Sequence, residues 1–183
     1  MTRTLTVKSG GTGTNYNVGW HTVTVSKANY GDWNGTKYID VYFNDYPDNF
    51  NMRVYAKQGK DGEEFAIGQI YRFANAGITG SLEGPDGTKV IKMDDSVEAL
   101  KGKAMNVYFY KQGKYSRVLN KTAPTVFENE VESFSEDDVI YWKGRAETYY
   151  KDYVEPKLSE ETPLSNGTAP TQEESSTGDG MPF

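Results

Sequence analysis

Cysteine is absent from this chain of 183 residues, and histidine occurs once. Without cysteine there is no disulfide framework, no thiolate zinc site and no thiol nucleophile. His21 lies in a predicted strand, where a lone histidine is more often a structural polar group than a base. No Ser-His-Asp set or metal cluster can be assembled around it, so the chain reads as a non-enzyme. The enzymatic alternative that survives is a nuclease built on carboxylates alone, which magnesium-dependent degradation of DNA would reveal. The adjacent acids Asp94 and Asp95 have no third ligand at a suitable spacing and read as a solvated helix start. The run GGTGT is followed by no Gly-Lys-Ser/Thr and is not a phosphate loop. No metal or cofactor is expected. No window approaches 18 consecutive apolar residues, which excludes a transmembrane helix. The N-terminal MTRTLTVKSGGTGTNYNVGW lacks the apolar run of a signal peptide, so the cytoplasm is the expected compartment.

Aromatic residues, by contrast, are plentiful. They make up 14 % of the chain, with 14 tyrosines, against an apolar fraction of 36 %. The length suits one domain with an appendage. The net charge of −6 is unevenly spread. Residues 1–121 hold 16 Lys and Arg against 12 Asp and Glu, a net of +4; residues 122–183 hold 4 against 14, a net of −10. A mildly basic body with an acidic end is the asymmetry of a nucleic-acid binder with an acidic tail; an ordinary domain ending in an acidic helix and linker has it too.

The stretch Lys37–Lys57, KYIDVYFNDYPDNFNMRVYAK, predicts two strands joined by a turn. Alternation sets Ile39, Val41 and Phe43 opposite Tyr38, Asp40 and Tyr42, then Met52, Val54 and Ala56 opposite Arg53, Tyr55 and Lys57. One face is aliphatic and suits a core; the other mixes tyrosines with cations. Single-stranded nucleic acid needs that mixture, because bases stack on flat rings while cations meet phosphates. Tyrosine is also simply a common strand residue.

Residues 1–17 read as a loose arm. Val18–Tyr30 predicts a first strand with Val23 and Val25 inward and Lys27 on their side, and Gly31–Gly35 a turn carrying Trp33. After the charged GKDGEE, FAIGQIYRFANAG has helical spacing, with Glu63 and Glu64 at its start and Gly77 past its end. Residues 78–93 predict a loop or short hairpin, and 94–101 a short helix capped by Asp94 or Ser96. Met105–Gln112 and Lys114–Lys121, separated by Gly113, predict a hairpin. Val107 and Phe109 point one way and Tyr108 and Tyr110 the other, with Tyr115 and Arg117 sharing a face on the return strand. Ser135 to Asp138 resembles a capping box that opens a helix to about Tyr153. Its stripe of Val139, Trp142, Ala146, Tyr149 and Tyr153 is packing. From Glu155 the composition is that of a disordered acidic tail.

Five strands with a helix between the third and fourth is the order of an OB-fold barrel, which binds oligonucleotides across strands two and three. The expected fold is therefore mainly β: a five-stranded OB-fold-like barrel over 18–153 with a C-terminal helix, followed by a disordered tail over 154–183.

The tip Gly178-Asp179-Gly180-Met181-Pro182-Phe183 resembles the C-terminus of bacterial-type single-stranded DNA-binding proteins (SSBs), where an acidic stretch ends in an aliphatic residue, Pro and Phe. Here only Asp179 is close, with Glu173 and Glu174 set back. The run GTKYIDVYF…NMRVY…EEFAIGQIYRFANAGI is similar to small phage proteins of the SSB type, and the resemblance covers roughly residues 18–150 plus the tip. It implies binding of single-stranded DNA in phage replication, recombination or repair, within the host cytoplasm. It also implies recruitment of replication and recombination partners through Asp179, Met181, Pro182 and Phe183. The stacking candidates are Trp33, Tyr38, Tyr42, Tyr55, Tyr108, Tyr110 and Tyr115; those for phosphate are Lys37, Arg53, Lys57, Lys111 and Arg117. Some of these tyrosines must instead close the barrel. The alternative is a non-enzymatic β-module that binds protein or glycan, such as a phage structural accessory, since aromatic β-faces also hold sugars.

Overall fold

Strand β1, Gly19–Trp33, is 15 residues long and serves two neighbours. Its first part, Gly19–Thr24, pairs with β6 (Ala104–Gln112), and its second, from Val25, with β2 (Thr36–Phe43). The switch falls at a bulge: Val25 opposes Phe43 and Lys27 opposes Tyr42, leaving Ser26 as the extra residue. The bulge shifts the alternation by one. Val23 and Val25 are buried before it and Ala28 after it, so the same face stays on the core while the strand bends. It also turns Lys27 away from the side that plain alternation predicts, and Lys27 is exposed.

The computed structural model describes residues 2–5 and 16–161, in two compact units, Met1–Ala146 and Glu147–Phe183. The first unit is mainly β. Its largest sheet runs β3-β2-β1-β6-β7, all antiparallel, with β3 at Met52–Tyr55 and β7 at Tyr115–Val118. Among the described residues no ladder joins β3 to β7, so the sheet is not closed into the expected barrel. Beyond β7 the chain keeps company with β6 through a Leu119 N–H to Tyr108 carbonyl bond of 2.8 Å and a bridge between Asn106 and Ala123. Buried Asn106 is satisfied there: its amide donates to the Pro124 carbonyl at 2.8 Å and accepts the Thr22 hydroxyl at 2.5 Å.

The core collects the predicted inward sets, Ile39, Val41 and Phe43 from β2, Met52 and Val54 from β3, and Met105, Val107 and Phe109 from β6. Fully burying one such side chain stabilises by about 1.5–3 kcal/mol. Phe109 is ringed by Phe50, Tyr46 and Tyr16 at centroid distances of 4.8, 5.5 and 6.2 Å. Tyr16 falls within the arm expected to be loose, yet it packs here and its N–H donates to Ser116 Oγ at 3.1 Å. His21 stacks on Phe109 at 4.1 Å and holds the Asn17 carbonyl at 2.7 Å, a packing role.

Helix α1, Ala66–Phe73, closes one end of this core with Ile67, Ile70 and Tyr71. The Glu64 carboxylate accepts from the N–H groups of Ile67 and Gly68 at 2.8 and 3.1 Å, two of the donors a helix start leaves unpaired. It also accepts from the Lys57 N–H at 3.0 Å, tying the end of β3 to the helix. A hairpin follows, β4 (Ile78–Glu83) and β5 (Lys89–Met93), then α2 (Val97–Leu100). The Tyr71 and Tyr30 hydroxyls lie 3.1 Å apart, and each is 2.8 Å from the Asp95 carbonyl. The hairpin β8 (Phe127–Glu128) and β9 (Ser133–Phe134) is held to α1 by Glu132, which accepts from Arg72 Nε at 2.6–2.7 Å. The Arg72 guanidinium also sits beside the rings of Phe134 and Trp142.

Helix α3, Glu136–Tyr149, opens on the predicted capping box. The Ser135 N–H donates to Asp138 at 2.7 Å, and the Asp138 N–H to Ser135 Oγ at 3.3 Å. The second unit holds the end of this helix, a π-helical turn at Tyr150–Val154 and α4 at Glu155–Glu161, so helix persists into the stretch expected to be a tail.

Candidate nucleic-acid interface

The outward face of β1–β2–β3 is set by register. Tyr38 opposes Gly31 on one side and Tyr55 on the other; Asp40 opposes Asn29 and Arg53; Tyr42 opposes Lys27. Directly opposed residues share a face. Trp33 is not in a turn, as expected, but ends β1 on this same face, because the hairpin turn is only Asn34-Gly35, both at positive φ.

Three rings touch. Trp33 meets Tyr55 edge-on at 6.5 Å, and Tyr55 meets Tyr38 edge-on at 5.5 Å. Trp33 is 52 % exposed and Tyr55 37 %, whereas Tyr38 is half-buried. Beside them Arg53 donates to both oxygens of Asp40, at 2.7 Å from Nε and 2.8 Å from Nη2. Its guanidinium carbon is 3.8 Å from the Tyr38 ring centroid, close enough that the two planes lie face on. The hydrogen bonds to Asp40 hold the guanidinium pKa well above its ordinary value against the opposing effect of burial, and a bond to Tyr55 adds to this. Alternation and charge predict a phosphate contact for Arg53; in the structure it pairs with Asp40, an acid that alternation places on this face and that the rest of the face buries. One step along, Lys27 lies over Tyr42 at 4.8 Å and pairs with Asp48 at 2.9 Å. Both partners of that pair are well exposed, so it contributes little.

Other expected residues are dispersed. Lys37 alternates with Tyr38 and belongs to the side of Ile39. Lys111 lies on the side of Phe109 and donates to Ser116 Oγ at 3.1 Å, away from Tyr108 and Tyr110. Those two share a face with Trp20, which meets Tyr108 edge-on at 5.4 Å and has Lys143 over its ring at 5.5 Å. At the Gly113-Lys114 turn, Tyr115 is 53 % exposed, with the Lys114 ammonium 5.6 Å and the Arg117 guanidinium 6.0 Å from its ring. Arg117 also donates to Gln112 at 3.0 Å. Lys57, just past β3, lies near Lys121, just past β7, and Lys121 lies near Arg145 of α3; burial first, then the neighbouring cation, pushes both lysine pKa values down. The tip residues Asp179, Met181, Pro182 and Phe183 lie outside the described residues.

Lys27, Trp20, Gly31 and the role of Asp40 enter the site only through the structure. Trp20 was visible in the alternation of β1, whereas Lys27 was displaced by a bulge that periodicity does not register. Among the described residues no group of three or more His, Cys, Asp or Glu could hold a metal ion. No helix of the described residues is long and apolar enough to cross a membrane. Compared with protein-family models, curated proteins and solved structures, the chain matches none.

Proposed function

We propose that this chain is a non-enzymatic single-stranded DNA-binding protein that stacks unpaired bases on the outward face of β1–β2–β3. The observation that carries the reading is the run of touching rings Trp33–Tyr55–Tyr38 on that face, with Trp33 and Tyr55 exposed. Flat rings on a sheet accept any base, since every base has a π-face, and each stacked base contributes about 1–3 kcal/mol. The strand order β3-β2-β1-β6-β7, with one long bent strand shared by both halves and a helix after β3, supports an OB-like fold that is partly open. In such a fold the second and third strands and the adjoining hairpin turns hold the oligonucleotide. Trp33 sits at the first of those turns and Tyr115 at the last. In this reading the tip through Phe183 recruits replication and recombination proteins, and the chain works in the cytoplasm of a phage-infected cell.

Trp33 gives the test its readout. Its fluorescence is expected to be quenched on titration with oligo(dT), weakly or not at all with duplex DNA, and less as salt is raised. A W33F variant should lose most of the quenching. No quenching at low salt overturns the reading. The charge balance of the face favours one competitor: with Arg53 compensated by Asp40, a neutral aromatic platform also suits a glycan. Oligosaccharide binding without DNA binding would put the β-module in its place.

A further inference from the structure

We propose that Arg53 is a stacking plate for a nucleobase and not a phosphate ligand, so that this face takes bases while the DNA backbone runs elsewhere. The inference rests on the reading of the chain as a single-strand binder and assigns one subsite within it. The guanidinium is held on two sides. Its edge donates to both oxygens of Asp40 at 2.7 and 2.8 Å, which makes the two groups coplanar. One of its faces lies on Tyr38 at 3.8 Å. The Tyr38 ring in turn lies against the β1 backbone, where a Cβ at Gly31 would come within 2.4 Å of it. The stack therefore rises from the sheet as backbone, tyrosine, guanidinium, and cannot sink further.

The Arg53 side chain remains 42 % exposed, while Asp40 is 10 % exposed. With one edge on Asp40 and one face on Tyr38, the opposite face is the one left to a ligand. A planar π-system laid there continues the stack, as bases do on arginine planes in single-strand recognition. Tyr55 and Trp33 belong to the same outward face of the sheet, and Tyr55 touches Tyr38. A phosphate would gain little from it, because the charge it seeks is balanced by a carboxylate in direct contact, and Nε and Nη2 already donate to that carboxylate. Lysine cannot substitute: it keeps the charge but has no plane.

Two variants of the full chain separate the roles, with oligo(dT) affinity measured across a salt series and folding checked by circular dichroism. R53K is expected to bind roughly tenfold or more weakly at every salt concentration. The double variant D40N/R53Q leaves no unpaired buried charge. It is expected to keep the wild-type slope of log affinity against log salt. If Arg53 met a phosphate, R53K would bind almost as wild type and D40N/R53Q would lose about 0.7 from the slope. Either result overturns the inference while leaving single-strand binding intact. Loss of binding by the wild-type chain itself would instead remove the underlying reading.

Discussion

The ring of Tyr38 on β2 lies across the backbone of Gly31 on β1, with no room between them for even a methyl group: a Cβ there would meet the ring at 2.4 Å. Gly31 has no positive φ, so the requirement is one of space alone. G31A should therefore destabilise by about 1–3 kcal/mol through overpacking. It should also lift Tyr38 and weaken oligo(dT) binding. In a Y38A background the same substitution should cost much less, and equal costs in the two backgrounds, measured by urea denaturation, would contradict the packing relationship.

Trp33 and Tyr55 are the most exposed rings of the face. W33A and Y55A should each weaken oligo(dT) binding by about 1–3 kcal/mol. Because the rings touch, the double variant should lose less than the sum. Anisotropy of a labelled oligonucleotide measures all three, and wild-type affinity in both single variants would place the interface on another face.

Glu64 satisfies three backbone N–H groups at once, two at the start of α1 and one at Lys57. E64A should cost about 1–3 kcal/mol, as for a lost cap with buried donors left unpaired. E64Q, which retains an acceptor, should cost less. Thermal unfolding of the two variants gives the comparison.

Burial, and then its neighbour Tyr30, raises the pKa of Tyr71 far above the ordinary tyrosine value, and burial also raises Tyr30. An unfolded tyrosine ionises near pH 10. Above that pH the unfolded chain sheds protons that the folded chain still holds. The tyrosines' contribution is therefore full below about pH 10 and is lost as pH rises toward the folded values. Lys57 and Lys121, both lowered, act with the opposite sign: stability rises with pH from their folded values up to the ordinary 10.5. Y71F should flatten the alkaline fall, at about 1 kcal/mol near neutrality for its lost hydrogen bond. An unchanged alkaline slope in Y71F would deny Tyr71 this role.

Deleting residues 155–183 removes six of the acids and one lysine of the acidic end. Affinity for oligo(dT) should stay equal or increase, while capture of replication or recombination partners through the tip is lost. A large fall in DNA affinity would contradict this separation of roles.

What could be read from the residues was whatever depends on local period. The inward sets of β2, β3 and β6 followed from strict alternation, α1 from its helical spacing, and the Ser135–Asp138 box from its spacing and chemistry. Three things escaped. Lys27 was assigned to the wrong face because one extra residue in β1 shifts the phase. The pairing of Arg53 with Asp40 was not evident, because Asp40 is on another strand, 13 positions away. Closure of the sheet depends on how far β3 and β7 approach, which no local pattern encodes, and they are not paired. The face itself was legible; which of its charges were already neutralised was not.

Ser26 separates two properties that are usually inseparable in a strand. Without it, Val25, Lys27 and Ala28 would follow one another in strict alternation, and each would keep the orientation it has now. Curvature and amphipathic order are thus written in different residues. A chain lacking Ser26 would still know inside from outside along all of β1, yet would have lost the instruction to bend.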